Sequence, residues 1–288
     1  MSTLWQDIRY KMLQTGSRIN LLIGINVLVF LLINIPATIL RLMGNNMLGS
    51  FSNDYLALPA YLPTLATRFW TPLTYMFIHA DIFHILFNML WLFWMGKIFE
   101  EYLGNKRLVG LYIMGGLAGA ALYVLCYNVF PLFASVKSVS IVVGASASVM
   151  AIVVATATLL PNYSIYLMFL GSVKLKWIAV FYVIIDFLSI TGPNAGGEIA
   201  HLGGALLGFI YIKQLNRGND WGRSVDSIFN QRPKVKVVSQ NRSYQQQNPS
   251  APRQEEIDHI LDKISQTGYE SLNKHEKEVL FRASKHEG

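Results

Sequence analysis

Charge is scarce in this chain. Asp, Glu, Lys and Arg make up 14% of 288 residues, against 52% hydrophobic residues, where a soluble domain carries about 25% charged residues. The scarcity is local. Charges are sparse from about residue 19 to 215 and dense from about 217 onward. That split reads as a membrane body of roughly 200 residues followed by a polar tail of roughly 70. Cysteine is nearly absent. Cys126 alone excludes an internal disulfide and a thiolate metal site, and reads as a small buried apolar residue. There is no Lys/Arg-rich run interleaved with aromatics, so the net charge of +7 speaks to membrane topology, and no nucleic-acid partner is expected. There is no H-E-x-x-H, which argues against a zinc peptidase. Asp186 has no second membrane aspartate to pair with, which argues against an aspartyl mechanism. No convincing internal repeat is visible, which disfavours a small transporter or channel. No A-x-A site follows the apolar run at 21–33, which continues to about Leu42. It reads as a first membrane helix and not as a cleaved leader.

What is present is a series of apolar segments. A bilayer core about 30 Å thick needs about 20 apolar residues per helix. Six segments qualify or nearly so: Asn20 to Met43, Asp81 to Glu100, Leu108 to Phe130, Ser146 to Leu160, Trp177 to Ile190 and Ile199 to Gln214. The fourth is too short to cross alone, follows a Gly144-Ala145 turn and ends at Pro161. It reads as a chain that dips into the membrane as a loop and becomes helical partway down. Non-helical backbone at that depth is tolerated only against protein or a water-filled cavity, which points to a functional site. The expected architecture is an all-α membrane protein, a six-helix bundle with a re-entrant loop leading into a short fourth helix.

Lysine and arginine set the orientation. With the N-terminus inside, the inner segments hold Arg9, Lys11, Arg18, Lys97, Lys106, Arg107, Lys174, Lys176, Lys213, Arg217 and Arg223. The outer ones hold Arg41, Arg68 and Lys137. Both termini are expected in the cytoplasm. Residues 1–18 form a cytoplasmic segment in which Leu4 to Leu13 has the mixed character of an interfacial helix. The first outer loop, about Gly44 to Trp70, is semi-apolar and suits the membrane interface. Residues 19–217 are the membrane domain. Residues 218–253 read as a flexible linker, its stretch 231–253 rich in Gln, Asn, Ser, Pro and Arg. Residues 254–288 read as a small helical hairpin. Ile257, Ile260, Leu261 and Ile264 recur at helical spacing, Gly268 turns the chain, and Asn273 with Glu276 has capping-box spacing. Such a hairpin is too small to stand alone and is expected to dock on a protein partner or on the membrane body.

His79, His84 and His201 lie in the membrane region, where ionisable groups are functional candidates or polar glue between helices. His84 and Asn88 are four apart and share a helix face. Two donors aimed at one point suit a developing oxyanion. Ser146 opens the fourth helix after Gly144, so its own N–H is a third donor. Ser148 is a rival nucleophile but points about 200° away around the helix. Gly204 and Gly208 follow His201 as a G-x-x-x-G pair and permit close contact with another helix. A matching small stripe, Ala147, Ala151 and Ala155, lies on the fourth helix. If the stripes pack, Ser146 and His201 meet at the outer end of both. Glu198 and Asp186 are two acids that would orient or tune His201, or else be a loop charge and a solvated cavity residue.

These pieces together resemble the rhomboid family of intramembrane serine proteases, of bacterial type with a C-terminal cytoplasmic helical extension. The matching motifs are H-A-D-I-F-H-I-L-F-N at 79–88, the spaced Gly96, Glu100 and Gly104, the G-x-S of Gly144 to Ser146, and A-H-L-G-G-A-L-L-G at 200–208. They fall in family order, and the resemblance covers about residues 20–215. It implies Ser146 as nucleophile, His201 as general base, and an oxyanion hole of His84, Asn88 and the Ser146 N–H. Glu100 would be structural, and His79, Gly144, Gly204 and Gly208 would support the site. Three positions depart from the pattern. Thr71 follows Trp70 where W-R is common, Ala147 follows the nucleophile where Gly is common, and Met150 stands where an aromatic is common. The implied activity is cleavage of transmembrane or juxtamembrane segments of membrane-protein substrates, with no cofactor and no metal, in the lipid bilayer of a bacterial inner membrane. The rival within the same resemblance is a non-catalytic relative that binds membrane helices.

Overall fold

The structure is a computed structural model. It describes residues 17–167, 171–221 and 254–286. The interfacial helix expected at Leu4 to Leu13 and most of the linker at 218–253 lie outside the described residues. The chain divides into two units, Met1–Arg232 and Pro233–Gly288.

In the first unit, the apolar run from Ile19 forms α1, Arg18–Leu42. The leading amides of a helix lack intrahelical partners. Here Glu100 satisfies them. Its carboxylate accepts from Arg18 N at 2.8 Å, Ile19 N at 3.0 Å and Ser17 Oγ at 3.0 Å. A carboxylate is also favourable at the positive end of the helix dipole. Glu100 belongs to α5, Ile82–Leu103, so it staples the start of α1 to the end of α5. The other face of α1 leaves Leu28, Leu31, Leu32, Ile35 and Ile39 exposed, a surface suited to lipid and not to water.

Between α1 and α5 lie α2 (Met47–Tyr55), β1 (Leu58–Pro59), α3 (Leu62–Thr67) and α4 (Thr71–Thr74). Two contacts hold this outer segment where the W-R pair is missing. Trp70 Nε1 donates to the Tyr55 carbonyl at 2.8 Å. The Arg68 guanidinium lies 4.9 Å from the centre of the Tyr55 ring and bonds the Asp54 carbonyl. Thr71 is buried and donates to the Arg68 carbonyl at 2.8 Å.

The chain continues through α6 (Asn105–Val129), β2 (Ile141–Val142), α7 (Ser146–Leu159), β3 (Ser164–Leu167), β4 (Gly171–Lys174), α8 (Leu175–Ser189) and α9 (Ala195–Leu215). Two expectations need correction. The fold is mostly helical but not all-α. β1 pairs antiparallel with β2, Leu58 opposite Val142, and β3 with β4. Pairing across more than eighty residues leaves no local sequence signal. Second, α9 begins at Ala195, so His201 lies in its second turn and does not open it. Gly196 and Gly197 look like loop residues but lie in the first turn of α9, and at Gly196 the close neighbouring helix leaves no room for a side chain. A methyl at Gly196 would come within 2.9 Å of the Tyr123 ring. Among the described residues, α1, α5, α6 and α9 are long and apolar enough to cross a membrane, and α7 is a shorter apolar helix.

α7 is the centre of the unit. Every residue from Ala147 to Ala157 is buried. Its 14 residues span about 21 Å. Glycines on both neighbours let it sit there. On the α6 side, Gly115 abuts the Ala151 methyl and Gly119 the Ala147 methyl. On the α9 side, Gly204 abuts the Ala147 carbonyl oxygen and Gly208 the Ala151 carbonyl oxygen. Gly203 completes the contact, since a methyl there would come within 2.7 Å of the Ala118 carbonyl oxygen and 2.9 Å of Gly119 Cα on α6. In lipid there is little hydrophobic drive between helices, and small residues replace it with close backbone packing.

In the second unit, α10 (Gln254–Thr267) and α11 (Lys274–His286) are joined by a 3₁₀ turn at Tyr269–Ser271. Ile260, Leu272 and Val279 form a small core with Ile264 and Leu280 against it. Asn273 and Glu276 cap α11 reciprocally. Asn273 N donates to the Glu276 carboxylate at 2.8 Å and Glu276 N to Asn273 Oδ1 at 2.9 Å. Lys263 Nζ donates to the same carboxylate at 2.8 Å and holds it below the usual glutamate range.

Candidate active site

The site forms where the start of α7 meets α5 and α9. Gly144 turns the chain into α7 at φ +129°, a backbone that only glycine adopts freely. Its N–H donates to the Tyr75 carbonyl at 2.9 Å. A side chain at Gly144 would also be blocked in space. A methyl there would lie 2.7 Å from His84 Nε2 and 3.4 Å from Ser146 Oγ. The His84 ring and the Ser146 hydroxyl both border the space that the bare Gly144 leaves open. Next to it, Ala145 N donates to His79 Nε2 at 3.5 Å, and the His79 and His84 rings meet edge-on, centroids 5.1 Å apart. His79 thus sits behind the turn and is buried.

Asp81 caps α5, its Oδ1 accepting from His84 N at 2.9 Å. That fixes the first turn of the helix that carries His84 and Asn88. Asn88 Nδ2 donates to the His84 carbonyl at 2.8 Å, which uses one of its two amide protons. Ser146 is the first residue of α7, so its N–H has no partner within the helix.

One cavity of about 550 Å³ collects these groups. His84, Asn88, Ser146, Met150, Asp186 and His201 all line it, together with Trp91 and Tyr182. Ser148 does not. It is fully buried, with its hydroxyl against Met76 Sδ at 3.8 Å. Of the two serines at the head of α7, only Ser146 reaches a space that a peptide could enter.

His201 Nδ1 faces α8, 3.2 Å from Asp186 Oδ1. The Glu198 carboxylate is 3.8 Å from the same nitrogen and accepts from Asn194 Nδ2 at 3.1 Å. Potential ligand atoms of Asp186, Glu198 and His201 lie within 4.8 Å of one another. The departures at Ala147 and Met150 are accommodated. The Ala147 methyl occupies the space that Gly119 leaves open, and Met150 forms part of the cavity wall. One contributor is absent from the sequence reading: Gly115 and Gly119 form a second G-x-x-x-G on α6, a pattern visible in the chain. Asp186 and Glu198 are both candidates in that reading, and the structure puts Asp186 nearer to Nδ1.

A family model described as the Rhomboid domain matches residues 66–217, more than half of the chain. The chain belongs to the rhomboid family. Rhomboids are generally intramembrane proteases, and the apolar helices here agree with an integral, multi-pass membrane protein. A second model, of a family of unknown function, matches residues 245–286, which contain the α10–α11 hairpin. Among curated proteins, the chain is 32% identical over 161 residues to RHOMBOID-like protein 12, mitochondrial, of Arabidopsis thaliana. The match covers 52% of this chain and 48% of that protein, so the chain spans about half the length of the curated relative it matches.

Proposed function

We propose that this rhomboid is a serine endopeptidase that cleaves transmembrane or juxtamembrane segments of other membrane proteins. The observation that carries the reading is the single cavity lined by Ser146, His201, His84 and Asn88, from which Ser148 is excluded. His201 Nδ1 is engaged by carboxylates, which leaves Nε2 to take the proton from Ser146 Oγ. The oxygen attacks the substrate carbonyl, and the C–N bond breaks as His201 returns the proton to the leaving amine. Water then releases the acyl group by the same path in reverse order. His84, the second amide proton of Asn88 and the Ser146 N–H are the donors for the tetrahedral oxyanion. No cofactor or metal enters these steps.

In this reading α7 and α8 also lie within the bilayer. That gives six membrane helices, with the chain before Ser146 re-entering from the outer side. The lysine and arginine bias puts both ends in the cytoplasm. A bacterial inner membrane rests on that charge pattern alone, since the curated relative is mitochondrial by its name. Substrates are membrane proteins whose helices unwind easily near small residues. The α10–α11 hairpin is a dock for a protein partner.

Labelling of the detergent-purified protein by a fluorophosphonate probe tests the nucleophile. Wild type and Ser148→Ala are expected to label, and Ser146→Ala is not. Label that persists in Ser146→Ala sinks the assignment, and a folded wild type that never labels favours a non-catalytic helix-binding relative. Removing one oxyanion donor with Asn88→Ala should lower kcat by about 10²- to 10³-fold. KM on a transmembrane peptide should change little.

A further inference from the structure

The catalytic reading above places two carboxylates beside His201 Nδ1 and does not say which of them the reaction depends on. We propose that Asp186 is a positioning residue for His201, so that the site works as a carboxylate, imidazole and hydroxyl in series. The proposal rests on the assignment of Ser146 and His201 and adds a third member to it.

Asp186 is 4% exposed, on a helix that otherwise turns Phe181, Ile184, Ile185, Phe187 and Leu188 outward. Burying a carboxylate at membrane depth is costly unless a partner compensates. Among the described residues Asp186 Oδ1 lies 3.2 Å from His201 Nδ1, the Glu198 carboxylate is a second polar neighbour of this acid, and Oδ2 has no hydrogen-bond partner. A purely architectural acid would be expected to have both oxygens satisfied. This one is aimed at an imidazole that shares a cavity with the nucleophile. Glu198 is the weaker candidate. It is farther from Nδ1, at 3.8 Å, and already holds Asn194 Nδ2.

The chemistry follows from the two ring nitrogens. A carboxylate at Nδ1 accepts that N–H and keeps the lone pair on Nε2, the nitrogen that must take the Ser146 proton. When it does so, an imidazolium forms on a ring with only 20% of its side chain exposed, where water solvates it poorly. The adjacent carboxylate then neutralises it without taking the proton. The low dielectric that makes Asp186 expensive at rest makes it more effective at that moment.

The test uses the full chain in detergent and the fluorophosphonate probe, separating the limiting labelling rate from the half-saturating probe concentration. Asp186→Asn keeps the shape but can present an N–H to Nδ1 and favour the wrong tautomer. Its limiting rate is expected to fall by about 100-fold or more, with half-saturation unchanged within about twofold. Glu198→Gln is expected to slow labelling by less than about tenfold. Asp186→Ala opens a hole in the cavity wall, and added formate is expected to restore at least about tenfold of its labelling rate, a response that lost packing cannot give. If Asp186→Asn does not purify as a folded protein, the formate response decides. Asp186→Asn labelling within about threefold of wild type overturns the proposal, as does a slow Asp186→Ala that ignores formate. A wild type that does not label at Ser146 removes the underlying assignment instead, so the two failures are distinguishable.

Discussion

His201→Ala is expected to lower hydrolysis of a transmembrane peptide by about 10⁴-fold or more, to the floor set by Ser146→Ala, and the double variant to fall no further. The reason is that the two side chains perform one act. Ser146 Oγ is a poor nucleophile until its proton has somewhere to go. Once the histidine is gone, the serine contributes only its bulk. Non-additivity therefore distinguishes a working pair from two residues that merely stabilise the same region, whose effects would sum. The variant should remain folded. His201 faces the cavity with 20% of its side chain exposed, so alanine enlarges a space that is already there. Turnover of the peptide by mass spectrometry, with thermal unfolding in the same detergent, checks both halves. A double variant markedly slower than either single one would mean that the two act independently.

The second large effect concerns packing. Gly208→Ala and Gly115→Ala both force a methyl against α7, and each is expected to cost about 1–3 kcal/mol or more. They should differ in what relieves them. At Gly115 the methyl meets the Ala151 side chain, with the next atoms at 3.4 Å or beyond. Adding Ala151→Gly should recover most of the loss, less about 1 kcal/mol for glycine in a helix. At Gly208 the methyl meets the Ala151 carbonyl oxygen, which no side-chain change removes. Ala151→Gly should leave that variant as unstable as before. Thermal unfolding of the two singles and two doubles reads the difference. Equal rescue in both pairs would mean that α9 and α7 do not touch through backbone.

Both arguments start from patterns visible in the chain. The G-x-x-x-G after His201 and the alanine stripe on the fourth segment anticipated the contact of Gly204 and Gly208 with α7. The spacing of His84 and Asn88 anticipated a shared face. Local signals carried this far because small residues at helical spacing mean close approach whatever the fold. What was illegible was longer in range. β1 and β2 are two residues each, joined by register and not by propensity. The start of α9 was hidden because Gly196-Gly197 looks like a loop, and the close approach of Tyr123 that favours glycine at 196 is a tertiary contact. The sequence offers Asp186 and Glu198 alike as neighbours of His201, and only the turn between α8 and α9 puts Asp186 nearer to Nδ1. Trp70 and Arg68 are visible in the chain, but no local spacing pairs either with Tyr55.

Ser146 precedes Ala147 by one residue, and His201 precedes Gly204 by three. Between Ala147 and Gly204 there is no side chain, only main chain against main chain. The spacing of the proposed nucleophile and base is thus gauged by two peptide backbones a turn or less away. Rotamer changes, neighbouring lipids and modest thinning of the bilayer act on the outward faces of the helices and do not reach this gauge. For the proposed reaction, in a solvent of varying thickness and composition, the critical length is written in covalent geometry.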